Sequence, residues 1–194
     1  MPNVEDSFEE LRSKLKSQER LLERSSEPIY YLVFGQREMQ LVKRRFPIWK
    51  EKLEQQDGWR VHQLSLGRRI QEFLRTHKRL QTWLEYERTN PGDYEAVRKT
   101  LVSQLADTGL VTTWVVETLT AAAADTHGIA VLTDVEAIHP FLRIGAVEQS
   151  LQGRCPAPLV ILYPGVRSGN TILRFLGEYP EDGNYRSLMI GGEG

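Results

Sequence analysis

The chain has 194 residues, 40% hydrophobic and 26% charged, with 25 basic against 26 acidic side chains and a formal net charge of -1. This is the composition of one soluble globular domain large enough to bury a core, and a charge so balanced excludes a molecule drawn as a whole onto nucleic acid or an anionic membrane. The acidic start MPNVEDSFEE lacks the apolar segment of a secretory signal, charge interrupts every apolar stretch, and Cys155 is the sole cysteine, so the expected setting is a reducing cytoplasm with no membrane span.

In SFEELRSKLKSQERLLERSSEP, Ser7 and Glu10 have the spacing of a capping box, and Phe8, Leu11, Leu15 and Leu22 recur at helical spacing between charged faces. An amphipathic helix is predicted within residues 1–27, ending near Ser25 and Ser26 before Pro28. It either lies over the remainder or docks a partner. Residues 28–194 read as a single α/β domain. IYYLVF, Ile29 to Phe34, predicts a buried strand ended by Gly35. REMQLVKRRFPIWKEKLEQQ predicts a helix that Pro47 kinks or divides. Asp57 and Gly58 make a turn, WRVHQLSL alternates as a second strand, and RRIQEFLRTHKRLQTWLEYE predicts one helix striped by Ile70, Phe73, Leu74, Leu80 and Leu84.

Asn90-Pro91 reads as a cap with a first-turn proline, opening a helix that carries Tyr94, Val97, Leu101 and Leu105 and stops at Gly109. LVTTWVVETLTAAAAD predicts a largely buried helix, and GIAVLTD, Gly128 to Asp134, a third buried strand. HPFLRIGAVEQSLQG predicts a helix with Ile144, Val147 and Leu151 inward, and APLVILY a fourth strand. TILRFLGEY and YRSLMI, joined by the turn-rich PEDGN, predict a terminal hairpin. The succession implies an α/β fold in three layers, a mostly parallel sheet between helices with an antiparallel C-terminal edge.

PLVILYPGVRSGNT, Pro158 to Thr171, outlines a phosphate-binding loop and then departs from one. Such a loop needs glycines that let amides approach phosphate, a lysine to neutralise charge and a hydroxyl for magnesium, all before a helix. Here Gly165 and Gly169 stand one residue too close, Asn170 replaces the lysine, and a strand follows. After the first strand, Phe34-Gly35-Gln36-Arg37-Glu38 supplies one glycine and no Lys-Ser pair. The layout thus resembles a P-loop nucleotide hydrolase without its loop, and no cofactor, metal or catalytic residue is predicted. Asp134, with Glu136 two residues on, imitates the metal-holding acid of such a site; a strand-end Asp capping the next turn is the favoured reading.

His62, His77, His127 and His139 have no metal-ligand spacing, with His62 mid-strand and His77 on a solvated face among Arg75, Lys78 and Arg79. Cys155 reads as an inert loop residue. Lys43-Arg44-Arg45 and Arg68-Arg69 are interleaved with acids and hydrate helix surfaces, DNA contact being the weaker alternative.

GWRVHQLSL, IAVLTDVEAIHPFLR, PLVILYPGV and LRFLGEYPEDGNYRSLMIGG together resemble the conserved blocks of the BrxB family of bacteriophage-exclusion (BREX) systems, over about Ile29 to Gly192. The resemblance implies an accessory subunit of a phage-defence system that acts through contacts with the phosphatase-like protein PglZ, and through it with an adenine methyltransferase and a large ATPase. It carries no assigned catalytic residues. The positions matching its blocks are interface candidates: Tyr163, Pro164 and Gly165; Asn184, Tyr185 and Arg186; and His139, Pro140, Phe141 and Arg143. Each has a plainer reading. Tyr163-Pro164-Gly165 would be a strand exit with the ring over the sheet end, Asn184 a turn residue and Arg143 a buried ion-pair partner. Arg186 and Tyr185 are of the types that dominate interfaces. A degenerate nucleotide-binding subunit is the alternative.

Overall fold

The computed structural model describes residues 3–19, 28–139, 141–169, 171–183 and 187–192. Its centre is a sheet of parallel strands in the order β2-β3-β4-β1-β7, formed by β1 (Ile29–Phe34), β2 (Arg60–Ser65), β3 (Gly128–Thr133), β4 (Leu159–Ser168) and β7 (Leu188–Gly191). β1, β3 and the first half of β4 are buried throughout. Their continuous apolar runs follow from helices covering both faces.

The period of two then sorts the side chains. Tyr30, Leu32, Ile129, Val131, Val160 and Leu162 join one core cluster with Phe8, Leu11 and Leu15 of α1 (Val4–Glu19) and Val42, Phe46 and Trp49 of α2 (Met39–Glu51). Tyr31, Val33, Ala130, Leu132, Leu159, Ile161 and Tyr163 join the other. That second face is covered by α3 (Leu66–Thr76), α6 (Leu110–Ala123) and α7 (Ile144–Ser150), and by Leu101 of α5 (Tyr94–Val102). α4 (Leu80–Thr89) buries no residue.

Several elements begin or end elsewhere than the sequence predicts, each for a local reason. α1 starts at Val4, because Asn3 caps it: its side chain accepts from the Asp6 amide at 2.9 Å and its carbonyl from the Ser7 amide at 3.1 Å. Ser7 is therefore a buried interior residue and no cap. The helix's predicted end at Ser25 and Ser26 lies outside the described residues. α2 runs unbroken through Pro47, which sits on the exposed face, and widens into a π turn at Lys52–Gln56.

The long helix predicted from Arg68 is two helices. His77 leaves helical geometry with ψ 129°, its ring stacks on Trp83 at 4.3 Å and meets Phe73 edge-on at 5.1 Å, and its Nδ1 accepts from the Arg79 amide at 3.2 Å. The aromatic sandwich turns the chain, so His77 is a corner residue and no member of a solvated helix face. Asp93, not Asn90, caps α5, accepting from the Ala96 amide at 3.1 Å. The helix predicted from His139 begins only at Ile144, after a 3₁₀ turn at Val135–Ile138.

β4 outruns its apolar segment. Its outer residues, Gly165 to Ser168, turn out of the main sheet and pair antiparallel with β5 (Ile172–Phe175), which pairs in turn with β6 (Glu181–Asp182). This is the antiparallel C-terminal edge. The last run does not join it: β7 returns to the parallel sheet beside β1. Arg167 ties the two regions together, its amide donating to the Gly192 carbonyl at 2.7 Å and its guanidinium to the Met189 carbonyl at 2.9 Å. The segment that outlined a phosphate loop is thus a strand, a turn with Gly169 at φ 67°, and a second strand.

Candidate functional site

In open α/β sheets, ligands and partners gather at the carboxyl ends of the strands, where chain exits to opposite faces leave a crevice. Here the chain leaves β1 toward α2 on one face and leaves β3 toward α7 on the other, with β4 between them. Among the described residues a pocket lies on each face of that edge.

The α2-side cavity has a volume of about 170 Å³ and is lined by Phe34, Met39, Val42, Lys43, Phe46, Gln63, Thr133, Asp134, Glu136 and Leu162. Asp134 sits at φ 58°, a left-handed conformation, directly after β3. Its carbonyl accepts from the Ala137 amide at 3.0 Å, but its side chain caps nothing. That side chain turns instead to the Ser65 hydroxyl at 2.6 Å, the Thr133 hydroxyl at 3.1 Å and the Lys43 ammonium at 3.2 Å.

Lys43 also reaches Glu136 at 2.6 Å, so one ammonium spans both carboxylates. Burial alone would raise the Asp134 pKa, but the Ser65, Lys43 and Thr133 hydrogen bonds outweigh it and hold the carboxyl below its usual range. Hydrogen bonding to Glu136, against some burial, raises the Lys43 pKa, with Asp134 adding to it. Gln63 donates to the Thr133 hydroxyl at 3.2 Å and closes the polar wall.

The loop after β1 is filled in a matching way. Glu38 folds back so that its carboxylate accepts from the Gly35 amide at 2.9 Å and from the Val4 amide at 3.3 Å. Amides after a first strand are the groups that would receive a phosphate. In this chain an internal carboxylate holds the Gly35 amide.

The pocket on the other face is lined by His139, Leu142, Arg143, Tyr163, Phe175, Tyr179 and Asp182 among others, and its volume of about 20 Å³ is that of roughly one water. The His139 ring stacks on Phe175 at 4.3 Å and meets Tyr179 edge-on at 4.1 Å. Burial, assisted by the Arg143 charge, lowers the His139 pKa, which keeps the ring neutral near pH 7. Burial also raises the Tyr163 pKa, with Asp182 adding to it and Arg143 opposing.

Three of the interface candidates, His139, Arg143 and Tyr163, therefore converge on one pocket, with Phe141 half-buried against the adjoining core. Arg143 is exposed at the start of α7, so it is no buried ion-pair partner. Tyr163 is only 2% exposed, its ring edge-on to Tyr31 and Phe175, each at 5.7 Å. Pro164 and Gly165 are buried in β4, paired with Phe34 and Phe175. The Tyr163-Pro164-Gly165 segment is mid-strand, not a strand exit. A Cβ on Gly165 would stand 2.5 Å from the Arg174 carbonyl oxygen and 2.5 Å from the Tyr163 ring, which requires glycine there. Asn184, Tyr185, Arg186 and Pro140 lie outside the described residues.

The remaining polar candidates have structural partners. His62 pairs with Asp125 at 2.7 Å, His127 lies exposed in a turn edge-on to Trp59, and the Cys155 thiol donates to the Ala157 carbonyl at 3.3 Å. Arg45 pairs with Glu5 at 2.9 Å, and Arg69 lies over the Trp114 ring at 5.3 Å. Among the described residues no group of three or more His, Cys, Asp and Glu could hold a metal ion, and no helix is long and apolar enough to cross a membrane. The sequence marks Asp134 and Glu136 as a strand-end pair, but shows Glu38 only as part of the loop after β1 and Lys43 only as basic surface, and carries no signal for Gln63.

No curated protein and no solved structure matches the chain. The family described as BREX protein BrxB matches residues 62–190, a span holding most of β2, β3, β4, the antiparallel edge and most of β7, and so the pocket around His139 and the polar wall of the α2-side pocket. With well over half of its length matched, the chain belongs to the BrxB family and takes part in BREX phage defence.

Proposed function

We propose that this chain is a non-catalytic adaptor of its BREX system, which binds the PglZ phosphatase-like protein and through it supports the adenine methyltransferase and the exclusion complex. Membership of the BrxB family supplies the setting. The observation that carries the adaptor reading is the state of the strand-end edge. Glu38 occupies the Gly35 amide after β1, and Lys43 bridges the carboxylate pair after β3. A triphosphate there would meet a carboxylate in place of donors, and a metal ion would have to displace an ammonium. That arrangement favours being held by a partner over turning a substrate over.

The aromatic pocket supports a docking role for the opposite face. Arg143 is exposed beside a rigid stack of His139, Phe175 and Tyr179, and an arginine projecting from a pre-organised aromatic base is a typical interface anchor. The DNA-binding reading gains less, since Lys43 and Arg45 are already paired with acids.

The test is co-expression with tagged PglZ and capture in mild salt. Recovery of the two proteins together is expected, with Arg143→Glu and Arg186→Glu each reducing recovery about ten-fold or more, equivalent to losing one interface anchor, at an unchanged melting temperature. Capture of PglZ alone would refute the proposal.

A further inference from the structure

The α2-side cavity combines three properties that together select a ligand class. First, its volume of about 170 Å³ slightly exceeds the size of cavity that accepts benzene, so it admits a compact body of about six or seven heavy atoms. Second, Phe34, Met39, Val42, Phe46 and Leu162 make one wall apolar and partly aromatic. Third, its charged groups are Asp134, Glu136 and Lys43, two carboxylates against one ammonium, so the lining keeps one negative charge. An anion is disfavoured there, and a neutral apolar molecule would gain the wall but nothing from the remaining negative charge.

Lys43 shows how a suitable ligand would sit. Its ammonium lies between Asp134 and Glu136 at 3.2 and 2.6 Å, while its side chain is 46% exposed. It enters the site from the solvent edge of α2, and with it in place about 170 Å³ stays open beside an apolar wall whose Phe34, Val42, Phe46 and Leu162 are packed into the core. Lys43 is the exposed member of the trio, Asp134 and Glu136 being 25% and 24% exposed, so displacing it returns an ammonium on a flexible stem to water while the carboxylates stay in place. A free cation carrying its own apolar body would gain the wall as well as the carboxylates, which the lysine does not.

We propose that this cavity is a binding site for a small organic monocation, an ammonium or guanidinium on a compact apolar body, and that Lys43 is the internal cation it displaces. The head group takes the position of the Lys43 ammonium on Asp134 and Glu136, and the body fills the space between Phe34, Phe46 and Leu162. The site does not depend on how PglZ docks, since it lies on the other face of the sheet edge.

Titration calorimetry of the full chain with benzylammonium, benzyl alcohol and benzoate tests this. Benzylammonium should bind about ten-fold or more tightly than either analogue, the difference expected of one charge-assisted contact. Lys43→Met, which keeps the stem and removes the competitor, should tighten benzylammonium about ten-fold, and Glu136→Gln should weaken it by a similar factor. Equal affinity for the three probes, no saturable benzylammonium binding, or a folded Lys43→Met variant that fails to tighten would each overturn the proposal. If Lys43→Met melts below the assay temperature, Glu136→Gln decides, and unchanged affinity there would equally overturn it.

Discussion

Replacing Leu11 with alanine tests whether α1 belongs to the cooperative core. The helix precedes the family-matched span 62–190, yet its apolar stripe of Val4, Phe8, Leu11 and Leu15 is no more than 2% exposed at any position. It lies over β1 and β7, Phe8 stacks on Trp49 at 4.6 Å, and Arg12 and Lys16 clamp Asp57 at 2.6 and 2.7 Å. Truncating a leucine this buried removes its transfer energy and leaves a cavity, together costing about 3 kcal/mol within the range found for such changes. For a domain of this size that lowers the melting temperature by about 6–12 °C. Urea unfolding followed by circular dichroism should show a lower midpoint with an unchanged slope, because the same surface is exposed on unfolding. A change below about 0.5 kcal/mol, the scale of ordinary surface substitutions, would refute the reasoning and make α1 a detachable arm.

Gly165→Ala should destabilise the chain by about 2–3 kcal/mol in the same urea assay, since the new methyl would meet the Arg174 carbonyl oxygen at 2.5 Å and backbone cannot move aside cheaply; wild-type stability would contradict the pairing of β4 with β5. His139 has a depressed pKa through burial and the Arg143 charge, so the fold prefers its neutral ring. Its contribution is complete above the unfolded value of about 6.5 and is lost as pH falls through that value toward the folded pKa. Melting temperatures from pH 7.5 to 5 should therefore fall less steeply for His139→Phe, which keeps the stack on Phe175, than for the parent; identical slopes would contradict this.

How much of the molecule was legible in its sequence depended on the range of the deciding interaction. The strands β1, β3 and β4 announced themselves as apolar runs, because each is buried on both faces and needs no polar alternation. Alternating strand and helix then implied the layered parallel sheet. Boundaries set by one hydrogen bond were harder to read. Asn3 and Asp93 took caps that Ser7 and Asn90 offered equally well on spacing, and nothing in the helical periodicity of residues 68–87 reveals that His77 would stack on Trp83 and turn the chain. The strand-like run TILRFLGEY predicts an antiparallel edge, but Glu181 and Asp182 of the supposed turn PEDGN are themselves β6, and the return of Leu188 to Gly191 to β1 is a long-range pairing that local pattern does not encode.

The site followed the same rule. Asp134 and Glu136 drew notice as a pair at a strand end, but Lys43 lies more than ninety residues upstream, within a run of basic residues that reads as solvated surface. Only the packing of α2 against the sheet brings it to the carboxylates. Likewise Glu38 resembled any first-turn acid until it closed over the amides of Gly35 and Val4. Of the family-like blocks, those around His139 and Tyr163 meet in one pocket because the 3₁₀ turn after β3, through Val135 and Ile138, and Tyr163 of β4 line it together with Phe175 of β5.

Calorimetric titration of the purified chain with ATP and magnesium bears most directly on the claim that its own groups fill the strand-end edge. With Glu38 on the Gly35 amide and Lys43 on the carboxylate pair, millimolar nucleotide should give no saturable heat. A saturable isotherm that disappears in Asp134→Asn would show that the edge opens to a nucleotide after all, and the adaptor reading would fall with it.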